Sequence, residues 1–209
     1  MSLLTLPSLD SILIILTVIA TAVMAASAAL QGVRQGFDPF GTTVLAVVTA
    51  VGGGTFRDML VGSTPVFWLN DMTYLSVAIP IGLLTYFLGS KLEAGGGHRL
   101  TILLYLDAIG LALFTLVGVE VALAHELSFL PAVILGCTTG VVGGMLRDLL
   151  CGQQPVILKQ DLYATISLLG GGVFIIALNY TPPELSLTIA FLFMVIFRFI
   201  VIFQKRKAT

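Results

Sequence analysis

The sequence has few charged residues. Only 10% of its 209 residues are Asp, Glu, Lys or Arg, whereas soluble domains carry about 25%. So few polar groups do not cover the surface of a water-soluble globule. The net charge of −1 provides no basic surface for nucleic acid. Composition therefore indicates a protein whose solvent is largely lipid and whose partners do not include nucleic acid.

Cysteine and histidine are equally scarce. Cys137 and Cys151 both fall in apolar runs, and His98 and His125 lie far apart in predicted loops. A disulfide framework or a metal site needs more ligands at closer spacing. The sequence also shows no Ser-His or Cys-His constellation of the kind that catalysis needs. We therefore expect no enzyme activity, no cofactor, and no metal beyond ions in transit.

Long apolar runs are what the chain does contain. Hydrophobic residues make up 57% of the sequence, and the mean hydropathy is +1.07. A transmembrane helix requires about 20 apolar residues. The sequence therefore predicts an all-α integral membrane protein, a single membrane domain over residues 1–209 with short loops. Seven runs meet the requirement, at about 9–31, 40–61, 69–90, 100–123, 130–151, 161–179 and 185–204.

The loops differ sharply in positive charge between the two sides of the membrane. With seven spans, all loop lysines and arginines fall on the side of the C-terminus, and the opposite loops hold none. Because Lys and Arg concentrate in cytoplasmic loops, we expect a cytoplasmic C-terminus and an N-terminus outside. The positively charged residues are Arg34, Lys91, Arg99, Lys159, Lys205, Arg206 and Lys207.

The chain also matches itself at a shift of 90 residues. Nine identities fall in the nineteen positions 53–71, from Gly53 with Gly143 to Asp71 with Asp161, where chance gives about one or two. Each repeat holds three spans, an odd number, so the second copy crosses the membrane in the opposite sense. The sequence predicts an inverted repeat, with copies at about 9–90 and 99–180 and an unpaired seventh helix at about 185–204. Such repeats are typical of translocation proteins.

The repeated core is VGGGTFRDML at 51–60 and VVGGMLRDLL at 141–150. Gly53 lies about 18 Å into its span at 1.5 Å per residue, near the membrane centre. Glycines there predict that the second and fifth helices break and expose backbone groups to a path. Close helix packing is the alternative. The glycines concerned are Gly52, Gly53, Gly54, Gly143 and Gly144.

Each glycine cluster is followed by an arginine and an aspartate. Adjacent residues on a helix point in different directions, so Arg57 with Asp58 and Arg147 with Asp148 are poor partners. Pairing across the repeats, Arg57 with Asp148, is one expectation. Snorkelling of both arginines to the interface is another. If held by partners, the arginines act as gates or as scaffolds.

Further polar side chains lie within the same spans. Hydroxyl groups can replace part of the water around a cation. An acid deep in a span, such as Asp107, is a candidate functional residue. The candidate hydroxyl ligands are Thr49, Thr55, Thr138 and Thr139.

Seven spans, a three-plus-three inverted repeat and the paired GGGTFRD and VGGMLRD motifs make the sequence resemble the prokaryotic branch of the trimeric intracellular cation channels. Related sequences are also described as uncharacterised or glycine-transporter-type membrane proteins. The resemblance covers nearly the whole chain. It implies a homotrimer in the lipid of a prokaryotic inner membrane, with a pore for K⁺ and Na⁺ in each subunit. It also implies that the second and fifth helices line that pore and that the motif residues line or gate it.

Two functions follow from these observations. The family resemblance favours a passive monovalent-cation channel. Inverted repeats with interrupted helices are more typical of secondary transporters, which favours a carrier of a small solute such as glycine.

Overall fold

The computed structural model describes residues 9–91, 98–159 and 162–207, and all regular structure in these ranges is helical. The 92–97 loop and Asp161, on which the charge and repeat arguments draw, lie outside the described residues. The helices are α1 (Leu9–Gln35), α2 (Pro39–Val61), α3 (Phe67–Asn70), α4 (Thr73–Ser90), α5 (His98–Ala124), α6 (Phe129–Leu150), α7 (Val156–Lys159), α8 (Tyr163–Leu178) and α9 (Pro183–Lys207).

Local sequence signals fix the ends of the helices that carry the motifs. Pro39 occupies the first position of α2, and the Asp38 carboxylate accepts the backbone N–H of Gly41 at 2.7 Å, a typical N-cap. Gly62 ends α2 with a φ of 72°, and Gly152 follows α6 with a φ of 64°. Both are in the left-handed region that glycine adopts readily.

Six of the described helices are long and apolar enough to cross a membrane, namely α1, α2, α4, α5, α6 and α9. The sixth predicted span corresponds to α8, which is apolar but has only 16 residues. The predicted third span begins too early at residue 69. The chain instead forms the short helix α3 and then starts α4 at Thr73. A matching short helix, α7, precedes α8.

Four helices form the centre of the molecule. α5 packs along α1 and α6, and α2 packs along α1 and α6. On the outside, α4 lies against α1 and α2, while α8 lies against α6 and α9. α5 is the most enclosed of the long apolar helices. This arrangement brings the two glycine motifs, on α2 and α6, into direct contact.

Candidate functional site

The glycine motifs meet where α2 crosses α6. A Cβ atom on Gly53 would overlap the carbonyl oxygen of Thr139, and one on Gly143 would lie 2.5 Å from the carbonyl oxygen of Thr49. The two contacts are reciprocal, because Gly143 and Thr139 are the 90-residue counterparts of Gly53 and Thr49. These glycines therefore allow two helix backbones to touch near the middle of both.

Both helices are continuous through their glycines, so the predicted helix breaks are wrong. α2 is helical from Pro39 to Val61 and α6 from Phe129 to Leu150. A glycine removes the side chain that would otherwise set the distance between helices, and small residues mark close contacts in membrane proteins. Close packing, the alternative to a helix break, accounts for the position of Gly53 and Gly143.

The other glycines of the first motif make room for single side chains. A Cβ atom on Gly52 would lie 2.6 Å from a methyl carbon of Leu146 on α6. One on Gly54 would lie 2.5 Å from the ring of Phe67, the first residue of α3. The first motif therefore packs against α6 at Gly52 and against the short helix α3 at Gly54.

Arg57 and Asp58 are buried together near the end of α2, at 4% and 3% exposure. Arg57 donates from Nε and Nη2 to one carboxylate oxygen of Asp58, at 2.8 and 2.6 Å. The other oxygen accepts the backbone N–H of Phe67 at 2.8 Å. The Arg57 guanidinium also lies 5.4 Å from the centre of the Phe67 ring. Asp58 therefore ties both the arginine and the start of α3 to the end of α2.

The second motif repeats this arrangement at the end of α6. Arg147 donates from Nε to one oxygen of Asp148 at 2.9 Å. The other oxygen accepts the backbone N–H of Val156, the first residue of α7, at 2.9 Å. Each aspartate thus anchors the short helix that follows its own span.

These contacts contradict the expectation that adjacent arginine and aspartate are poor partners. They also replace the expected pairing of Arg57 with Asp148. Adjacent side chains leave a helix about 100° apart, but the long, flexible arginine side chain reaches back around the helix to its neighbour. Burial favours that contact, because an unpaired carboxylate away from water is costly.

Arg147 has further partners, which form a buried cluster. Its Nη1 donates to Asp107 at 2.7 Å and to the hydroxyl of Ser27 at 2.9 Å. Tyr163 donates to the other Asp107 oxygen at 2.8 Å. Gly144 leaves room for these groups, since a Cβ there would lie 3.3 Å from an Asp107 oxygen. The Arg147 cluster (Ser27, Asp107, Arg147, Asp148 and Tyr163) therefore joins α1, α5, α6 and α8.

The repeat does not duplicate this cluster around Arg57. At the positions 90 residues away from its members Asp107, Ser27 and Tyr163, the chain has Thr17, Val117 and Thr73. The sequence predicts a functional role for Asp107, an acid deep in a span, but not for Ser27 or Tyr163. Neither has a sequence signal: Ser27 is a lone hydroxyl in an apolar run, and Tyr163 lies at the start of a span, just after polar loop residues.

The candidate threonines differ in what their hydroxyls bond. Thr138 and Thr139 both donate to the carbonyl oxygen of Leu135, at 2.9 and 2.7 Å. Thr55 donates to the Val51 carbonyl at 2.8 Å and lies 2.9 Å from the indole nitrogen of Trp68. The Thr49 hydroxyl is fully buried and has no hydrogen-bond partner among the described residues.

Comparison with known proteins places the chain in a family. The family model described as "Glycine transporter" matches residues 14–90 and 104–179. The chain is 44% identical over 156 residues to the UPF0126 inner membrane protein YadS of Escherichia coli K12, covering 75% of this chain and 74% of that protein. It is 45% identical over 163 residues to a UPF0126 membrane protein of Vibrio cholerae. That match covers 77% of this chain and 66% of the Vibrio protein.

Solved structures show the same fold. The chain superposes on the trimeric intracellular cation (TRIC) channel orthologue of Rhodobacter sphaeroides with a TM-score of 0.87 and 34% identity. The match covers 93% of this chain and 98% of that one. A prokaryotic TRIC channel crystallised in 0.5 M KCl gives a TM-score of 0.89 at 28% identity, covering 94% and 98%.

Proposed function

Since the chain belongs to the glycine transporter family, in which the prokaryotic TRIC channels fall, we propose that it is a monovalent-cation channel. The observation that carries this proposal is its likeness, over nearly the full length of both chains, to solved TRIC cation channels. The proposed channel is a homotrimer in a prokaryotic inner membrane, surrounded by lipid, and conducts K⁺ and Na⁺ through one pore in each subunit.

The proposed architecture is seven spans with a three-plus-three inverted repeat. The reciprocal contacts of Gly53 with Thr139 and of Gly143 with Thr49 support it, because a two-fold axis relates contacts in this way. The identical anchoring of α3 by Asp58 and α7 by Asp148 supports it as well. So does the family model, which matches two segments whose starts lie 90 residues apart. In this proposal the 16-residue helix α8 is the sixth span, and it brings the total to seven.

We place the pore between α2 and α6. In this structure the two helices touch backbone to backbone at Gly53 and Gly143, so conduction requires them to separate there. The buried Arg57–Asp58 and Arg147–Asp148 pairs lie beyond the crossing, towards opposite ends of the path. The residues proposed to line or gate it are Thr49, Gly52, Gly53, Gly54, Thr55, Arg57, Asp58, Asp107, Thr138, Thr139, Gly143, Gly144, Arg147 and Asp148.

Transport of a small solute such as glycine is the second candidate function. The description of the family model favours it, and so does the repeat, because two related halves can open alternately to the two sides. The two functions differ in kinetics. A channel passes ions in discrete conductance steps without substrate, whereas a carrier gives slow, saturable flux that depends on its solute.

Recording from the purified protein in planar bilayers distinguishes the two. We expect unitary current steps in symmetric KCl that persist when NaCl replaces KCl. The matched control is the Gly53→Leu variant reconstituted at the same density, which should give no steps. Saturable uptake of radiolabelled glycine into proteoliposomes, with no unitary currents, would instead establish the carrier.

The proposed orientation has the N-terminus outside and the C-terminus cytoplasmic. It groups the loops after α2 and α5 on one face, and the hydrogen bond between Ser63 and His125, 2.9 Å long, connects these two loops. The imidazole Nδ1 donates to the Val121 carbonyl at 2.8 Å, so in the neutral ring Nε2 accepts from Ser63. This contact supports the grouping, while the loop charges indicate which face is cytoplasmic.

Single cysteines test the orientation in intact cells. Tyr180, 83% exposed after α8, belongs to the proposed outer face, and the exposed Gln154 after α6 belongs to the inner one. We expect an impermeant maleimide to label Tyr180→Cys and to spare Gln154→Cys until the cells are permeabilised. Cys137 and Cys151 are first replaced by serine to remove background labelling. Burial raises the pKa of the Cys151 thiol, so this background reaction is slow even before the replacement. The opposite labelling pattern would reverse the orientation.

A further inference from the structure

Two threonine hydroxyls on α2 differ from the other buried threonine hydroxyls among the described residues. Thr42 and Thr49 are both fully buried, and neither hydroxyl has a hydrogen-bond partner within the part of the chain that the structure describes. Eight other helical threonines donate to a carbonyl three or four residues earlier, which is the usual arrangement in an apolar interior. These threonines are Thr17, Thr21, Thr43, Thr55, Thr115, Thr138, Thr139 and Thr188.

Thr42 and Thr49 lie on the same face of α2. They are seven residues apart, almost two full turns, so their side chains point in nearly the same direction and lie about 10 Å apart along the helix axis. Thr42 is in the first turn of α2, and Thr49 is at the centre of the helix. Together they mark a line from one end of α2 to the crossing with α6.

Glycines of α1 and α6 pack against this face of α2. On α1, Gly32 lies beside the first hydroxyl, since a Cβ atom there would lie 2.9 Å from Thr42 Oγ1. On α6, Gly143 contacts the backbone of Thr49. Buried polar groups normally find a partner, and one left unpaired calls for an explanation. A polar occupant that passes along this face supplies one.

We propose that Thr42 and Thr49 are two successive contact points for a hydrated monovalent cation in the half of the path that lies on the Thr42 side of the crossing. This inference rests on the proposed channel function and deepens it. Each hydroxyl has its proton and both lone pairs uncommitted, so it can ligate the ion with oxygen and donate to the ion's hydration water. Two weak sites in series suit conduction, because an ion has to leave each site as readily as it arrives.

Thr139 provides an internal comparison, because it is the repeat counterpart of Thr49. Its hydroxyl already donates to the Leu135 carbonyl, which fixes its direction. The two threonines therefore occupy matching places at the crossing but differ in hydroxyl freedom. We assign the central cation contact to Thr49 and expect the loss of the Thr139 hydroxyl to matter less.

Valine substitution removes each hydroxyl with little change in shape. In planar bilayers we expect Thr42→Val and Thr49→Val each to lower the unitary K⁺ conductance about threefold or more, the size expected for one lost hydrogen-bonding group. Thr42→Ser and Thr49→Ser should retain the parent conductance. Since valine removes an unpaired buried hydroxyl, trimer yield and melting temperature should stay the same or rise. A merely structural role of the hydroxyls predicts that both fall.

The matched controls have hydroxyls that bond their own helix. Thr21→Val changes a fully buried threonine that donates to the Thr17 carbonyl, and Thr43→Val changes the neighbour of Thr42, which donates to the Pro39 carbonyl. Both should conduct like the parent. Two results would overturn this inference and leave the proposed channel standing. One is parent-like conductance of Thr42→Val and Thr49→Val; the other is a Thr139→Val variant whose conductance falls as much as that of Thr49→Val. A parent protein that shows no unitary current overturns the proposed channel, and this inference with it.

Discussion

Leucine in place of Gly53 should abolish function while leaving membrane insertion intact. Leucine is favourable in a transmembrane helix, so the amount of protein in the membrane should match the parent. The first side-chain carbon, however, would overlap the Thr139 carbonyl oxygen. That obstacle is backbone, which does not turn aside as a side chain does, so α2 and α6 are pushed apart, and the leucine side chain then occupies the gap through which an ion would pass. Overpacking costs about 1–3 kcal/mol where side chains can adjust, and we expect at least the upper end here.

Gly143→Leu should behave in the same way, because its Cβ would meet the Thr49 carbonyl at 2.5 Å. Even alanine at either position should lower the melting temperature. Gly172 on α8 is the matched control, since the nearest atom to a Cβ there lies 3.7 Å away, on Phe129. Gly172→Ala should leave melting temperature and conductance unchanged. Parent-like melting and conductance for Gly53→Leu would show that the crossing is looser than the structure has it.

Sequence alone was sufficient to locate the six long apolar helices and the two motifs. Apolar runs long enough to cross a bilayer leave few alternatives to a helix, because the backbone has to satisfy its hydrogen bonds internally. The predicted helix boundaries were wrong where a short helix lies between two long ones and the chain turns there. The predicted third span includes Leu69 and Asn70, but these residues belong to the separate helix α3, which the Asp58 carboxylate anchors.

The purpose of the glycines depended on a partner that the sequence does not identify. A glycine run at mid-membrane is compatible with a broken helix and with a close crossing, and the pattern on one helix is the same in both cases. Only the position of Thr139 against Gly53, 86 residues away along the chain, distinguishes them. The repeat brings these two segments together, but it does not fix the distance between them.

The asymmetry between the two arginines was also beyond sequence reasoning. Both arginines follow a glycine cluster and precede an aspartate, so the repeat alone does not distinguish their roles. The structure gives Arg57 one carboxylate and an aromatic ring, whereas Arg147 contacts two carboxylates and a serine. Ser27 and Asp107 are 120 and 40 residues away from Arg147. Contacts over such separations follow from helix packing and leave no local pattern.

That asymmetry predicts that alanine at Arg147 is far more damaging than alanine at Arg57. Arg147 is 1% exposed and neutralises Asp107 and Asp148. Its removal leaves two buried carboxylates, each with one remaining donor, from Tyr163 and from the backbone. Breaking a buried ion pair costs about 3–5 kcal/mol, so we expect the trimer fraction of Arg147→Ala to collapse in size-exclusion chromatography. Arg147 is then a scaffold.

Arg57→Ala leaves only Asp58 without its charged partner, and that carboxylate keeps the N–H of Phe67. This variant should assemble, and its open probability should rise, because the guanidinium no longer joins the end of α2 to the α3 ring. Arg57 is then a gate.

Adding Asp107→Asn to Arg147→Ala should recover part of the lost trimer, since the effects of substitutions within one ionic network are not additive. Adding it to Arg57→Ala should not improve assembly. If both alanine variants assemble and conduct like the parent, neither arginine is a gate or a scaffold, and both serve as interface anchors.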